Sequence, residues 1–81
     1  MLFRSEVVNT IGAGGRLVLA AGDYYVRAVG ANITVQVLDS SGGWNNVTAV
    51  GVGGLFTFDG ACVALFNAGV GNQTVTTQKA G

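Results

Sequence analysis

The chain has 81 residues with four basic and four acidic side chains, which fits one domain spanning 1–81 and lacks the basic footprint that nucleic-acid binding requires. Its single cysteine, Cys62, excludes an intrachain disulfide, and the absence of histidine removes the commonest ligand of a zinc or copper site. Charged residues make up 10% of the chain and apolar ones 49%, against about 25% charged in an ordinary soluble domain, so the surface is expected to be covered by other protein subunits.

Glycine occurs 14 times and proline never, and the glycine clusters cut the chain about every ten residues into short runs rich in Val, Thr, Ile, Tyr and Phe. None of the runs has the length of an ordinary helix. The pattern predicts an all-β fold, a small antiparallel β-sandwich or jelly roll of about eight short strands.

The first strand is expected to begin almost at Met1. It places Phe3, Val7 and Ile11 inward, with Arg4, Glu6 and Thr10 on the solvent side. Gly12-Ala13-Gly14-Gly15 reads as a turn, since a phosphate cradle would lead into a helix, often with a lysine. Asp23–Val29 followed by Asn32–Val35 echoes Asp59–Leu65 followed by Asn72–Val75, which predicts two similar hairpins. Alternation points Ile33, Val35 and Val37 inward. Asp39-Ser40-Ser41-Gly42-Gly43 reads as a hairpin loop whose Asp and Ser side chains bond the backbone, and Asp23 and Asp59 are assigned the same turn-capping role.

Beyond that loop, Val47 and Ala49 look inward, while Trp44 shares the opposite parity with Asn46 and Thr48. An outward tryptophan is an interface anchor, a sugar-stacking platform, or a ring folded over its own sheet edge. Phe56 and Phe58 are expected in the core, with Leu55 outside that assignment. Ala61–Phe66 is apolar on both parities, which demands cover on both faces, one from the core and one from a neighbour. Cys62 is read there as a buried, inert thiol.

Little in the chain suggests chemistry. Without histidine, Ser5, Ser40, Ser41 and Cys62 lack the usual activating base, and each carboxylate has a structural use at hand. No catalytic residue, cofactor or metal is expected, and the chain reads as a non-enzyme. No apolar run approaches the about 20 residues of a spanning helix. Arg4 and Glu6 place charge where a secretory leader would turn apolar, so assembly in a cytoplasm and no membrane association are the expectations.

Asp23-Tyr24-Tyr25-Val26-Arg27-Ala28-Val29-Gly30, Ile33-Thr34-Val35-Gln36-Val37, Gly42-Gly43-Trp44, Phe56-Thr57-Phe58-Asp59-Gly60 and Thr74-Val75-Thr76-Thr77 together resemble the small virion proteins of tailed bacteriophages, among them capsid decoration or cement proteins. The resemblance implies a compact β-domain, often trimeric, that is assembled in the host cytoplasm. It would sit on the outer capsid surface where capsomers meet and clamp the major capsid protein against internal pressure. Leu2, Phe3, Trp44 and Leu55 are the residues expected at such contacts. The alternative is a receptor- or glycan-binding β module of a tail fibre or spike, with Trp44 holding sugars.

Overall fold

The computed structural model describes residues 6–29 and 32–80. Eight strands form: β1 (Glu6–Ile11), β2 (Arg16–Val18), β3 (Gly22–Ala28), β4 (Ile33–Leu38), β5 (Trp44–Ala49), β6 (Gly54–Phe58), β7 (Val63–Asn67) and β8 (Gln73–Lys79), with a 3-10 turn over Gly60–Cys62. They build two four-stranded sheets, ordered β1-β8-β3-β6 and β2-β7-β4-β5, in which every pairing is antiparallel.

The pairs β1 with β8, β2 with β7, β3 with β6 and β4 with β5 nest inside one another, like the rungs of one long hairpin whose tip is the loop after β4. A hairpin that is apolar on one face can bury that face only by rolling onto itself. The roll sets β3 beside β8 and β4 beside β7, and the result is a jelly roll. Among the described residues no helix is long and apolar enough to cross a membrane.

Val26, Phe58 and Val75 of the first sheet pack with Ile33, Val35 and Leu65 of the second to form the core. Each such side chain contributes about 1.5–3 kcal/mol through burial. Tyr24 meets Phe58 edge to face, with centroids 5.5 Å apart. Its hydroxyl donates to the Ala20 carbonyl at 3.0 Å, so the ring is inserted without stranding its polar end.

Two polar residues, Asn67 and Thr77, are buried at inward positions of the same interior. Asn67, fully buried, donates from Nδ2 to the carbonyls of Ile11 and Gly71, both at 2.7 Å, and accepts the Gly69 N–H on Oδ1 at 2.8 Å. Its backbone bonds Gly14 and Gly15. One residue, Asn67, therefore ties the end of β1 and the β1–β2 turn to the β7–β8 loop, with each polar atom of its side chain satisfied.

Several expectations need correction. The echoed segments are not hairpins, because β3 to β4 and β7 to β8 each cross from one sheet to the other. Their strands pair between copies, β3 with β8 and β4 with β7, at the centre of each sheet. Val7 and Val37 hold inward register positions, opposite Thr77 and Val63, yet are 53% and 38% exposed. Both lie near strand ends, beyond the cover of the facing sheet.

The alternation assumed for β5 fails at Val47. Val35 pairs with Thr48 but Gln36 pairs with Asn46, so Val47 is an unpaired extra residue in a β-bulge and is exposed. The bulge reverses the faces beyond it: Thr48 takes the inward register position and Ala49 the outward one. Cys62 is exposed rather than buried. The run read as one strand is broken by the turn at Gly60 (φ +61), where the Cys62 N–H bonds the Asp59 carbonyl at 3.2 Å, and β7 starts only at Val63. Asp23 and Asp59 are not turn caps. Asp23 accepts the Thr57 hydroxyl across the sheet at 2.7 Å, and Asp59 makes no capping bond with its side chain.

Candidate functional site

With the inner faces consumed by the core, contact surfaces are sought on the outer faces. Asp39 anchors the loop at one end of the β5 side. Its Oδ1 accepts from the Ser41 hydroxyl (2.6 Å), the Gly43 N–H (2.8 Å) and the Ser41 N–H (2.9 Å), and its Oδ2 accepts from Asn45 Nδ2 (2.8 Å). These bonds, those from the Ser41 and Asn45 side chains foremost, hold the carboxyl far below its ordinary value of 3.8. The loop-capping role read from the sequence is thus present, and it fixes where Trp44, the next strand's first residue, emerges.

Trp44 is in register with Leu38, on the face opposite the core positions Ile33 and Val35. The same outer face carries Arg16 beside Phe66, and Ala64 between Val18 and Gln36. Arg16 and Gln36 lie two strands apart, about 10 Å at ordinary sheet spacing, and only a long side chain crosses that gap. Arg16 does so: its Nε donates to Gln36 Oε1 at 2.8 Å. Gln36 Nε2 passes the chain on to Asn46 Oδ1, also at 2.8 Å.

The Arg16 guanidinium lies 4.7 Å from the Phe66 ring centroid and 5.2 Å from that of Trp44, within cation–π range. One side chain rooted in β2 thus contacts β7, β4 and β5, and the aromatic rings, guanidinium and amides form a single preassembled patch. Gln36 and Ala64 are buried beneath it, so much of the outer cover that the apolar β7 demands comes from the chain itself rather than from a neighbour.

The opposite outer face is different. Leu55 pairs with Tyr25, both 54% exposed, and Val8 is 65% exposed. Arg27 and Glu6 form an exposed ion pair at 3.6 Å, worth little in water. Tyr25, Arg27, Val52, Gly53 and Thr76 line a shallow depression of about 200 Å³.

Trp44 and Leu55 therefore sit on opposite outer faces and do not form one site, while Leu2 and Phe3 lie outside the described residues. Arg16, Gln36 and Phe66 were not singled out by sequence reasoning. Their approach depends on strand order, and the only signal was the outward parity of Trp44 and Gln36. Among the described residues no group of three or more Asp, Glu, Cys or His side chains lies together to hold a metal.

A scan against protein-family models, a search of curated proteins and a search of solved structures each returned no match. What is defined is a class, the small all-β jelly roll, with one structured aromatic–guanidinium patch on an outer face.

Proposed function

We propose that the chain is a non-enzymatic structural protein of a phage virion, a decoration (cement) protein on the outer capsid surface. In this reading it binds the major capsid protein and associates with itself as a homotrimer, assembling in the host cytoplasm. The observation that carries the reading is the Trp44–Arg16–Phe66 patch. Trp and Arg dominate interface hot spots, and a side chain already ordered before binding loses less entropy on contact. The exposed Val8, Tyr25 and Leu55 on the other face offer a second surface for neighbouring subunits. Jelly rolls serve viral capsid and lectin domains alike, so the fold alone does not choose between them. Against the glycan-binding alternative, one contact of the indole is already made by a guanidinium, which competes with a stacking sugar.

The test is cosedimentation of the purified chain with capsids of the phage that encodes it, with light scattering for the oligomer. Binding that Trp44→Ala weakens by about tenfold or more, the scale of a hot-spot truncation, is the expected result. A chain that stays monomeric and leaves capsids in the pellet bare sinks the proposal. Binding to a glycan array that Trp44→Ala abolishes would replace it with the receptor-binding reading.

A further inference from the structure

We infer that the Trp44–Arg16–Phe66 patch is a receptor for a carboxylate, an Asp or Glu side chain or a chain terminus presented by a protein partner, held end-on by the Arg16 guanidinium. The inference deepens the proposed function and rests on that outer face being a contact surface. It does not rest on the partner being a capsid.

Three observations converge on Arg16. Its Nε is committed to Gln36 at 2.8 Å, and two aromatic rings bear on the guanidinium, so the group is fixed in direction. Its Nη1 and Nη2 groups donate to no acceptor among the described residues, and no acidic residue there is ion-paired with it; the ion pair that does form joins Arg27 to Glu6. The exposed remainder of the guanidinium is therefore its end-on edge, whose parallel N–H bonds match the two oxygens of a carboxylate. The outward positions around it, Val18, Thr34, Leu38, Asn46, Ala49 and Ala64, carry no charge. A positive group on a neutral, partly apolar face calls for one complementary negative charge, desolvated as the partner closes over it.

A single cation also says which anion source fits. A nucleic-acid backbone is gripped by several Lys and Arg at once, and among the described residues this face has one. An isolated carboxylate within a mostly neutral protein surface matches both the count and the surroundings.

The probe is sodium propionate, the equivalent of a glutamate side chain, titrated into the full chain at ionic strength held constant with sodium chloride. Two signals are read: the Arg16 Nε–H resonance, and the fluorescence of Trp44, the only tryptophan. Both should move saturably, with half-saturation on the order of 10–100 mM as befits one charged contact. The Nε–H of Arg27, whose Nη2 lies 3.6 Å from Glu6 Oε2, should move several-fold less and serves as the reference within the same molecule. Propionamide should move neither. Arg16→Lys keeps the charge but loses the fork, and should lose the Trp44 response while the amide spectrum stays folded.

Equal responses at Arg16 and Arg27, no response at all, or a full response in Arg16→Lys overturns the inference. So does inorganic phosphate saturating at a concentration about tenfold below propionate, which would mark a phosphate site. If Arg16→Lys does not fold, the Arg16-against-Arg27 comparison in the unaltered chain decides alone. A propionate response together with failed capsid cosedimentation would sink the virion reading and leave the carboxylate site standing.

Discussion

Asn67 gives the sharpest test of what holds the roll together. Asn67→Ala removes two donors and one acceptor from a fully buried position. The Ile11 carbonyl belongs to a residue that is itself buried, so leaving it unpaired costs about 1–3 kcal/mol. Gly71 is exposed and Gly69 partly so. Water can replace the lost partner at each, and each costs about 0.5–1.5 kcal/mol. The loss is thus about 2–6 kcal/mol, against roughly 4–12 kcal/mol of total stability for a domain of this length.

Asn67→Asp is nearly isosteric yet points an oxygen at two carbonyl oxygens. Folding then favours the protonated acid and raises the folded-state pKa above the unfolded one. The penalty is smallest below the unfolded value and grows by about 1.4 kcal/mol per pH unit as pH rises toward the folded one. Urea unfolding followed by Trp44 fluorescence reads both variants. With m near about 1 kcal/mol per M, the Asn67→Ala midpoint should fall by at least about 2 M. A fall below about 0.5 M, or an Asn67→Asp penalty that does not grow with pH, would refute the assignment of the interior to this clamp.

Three further outcomes follow from single positions. Gly53 has φ +113 and would place a Cβ 2.8 Å from the Val26 carbonyl, whereas Gly42, at φ +89, has open space around it. Gly53→Ala should therefore cost about 2–4 kcal/mol in thermal or urea unfolding and Gly42→Ala about 1–2; equal costs would contradict the close approach. The depressed Asp39 carboxyl adds stability that is complete above its unfolded value of 3.8 and is lost as pH falls through and below it. Acid titration of Asp39→Asn should show a shallower decline than the parent below about pH 4, and identical acid limbs would count against the loop bonds. Cys62, exposed, should react with a thiol reagent in the native state within about tenfold of its unfolded rate; slowing beyond about 100-fold would show that it is covered.

The glycine turns, the Asp39 loop, the number of strands and the inward Ile33, Val35, Phe56 and Phe58 could be read from the sequence because each depends on backbone freedom or local parity alone. What could not be read depends on partners remote in the chain. The bulge at Val47 exists only against β4, and it reversed the facing of Thr48 and Ala49. Val7 and Val37 obey parity but outrun the opposing sheet, whose extent parity does not encode. Cys62 was assigned to the core because Ala61 and Cys62 are as apolar as the strand that follows; Gly60, with its left-handed backbone, was the local cue that a turn intervenes. The Arg16 patch was the least legible of all, since it joins β2 and β7 to the β4–β5 hairpin, three pieces of chain remote from one another in sequence.

The nested pairing also sets an order of events. Val7 and Thr77 face each other across seventy residues of chain, so β1 emerges from the ribosome long before β8 exists to flank it. Until then the β4–β5 hairpin is the one pairing that can close over a short loop, and the outermost pair must wait for the longest loop to close. Such a topology has high contact order, and folding on the millisecond-to-second scale is the physical expectation. During that interval the edge of β3, whose backbone N–H and C=O groups β8 normally pairs, stands open, and an unpaired edge is the feature through which partly folded chains associate.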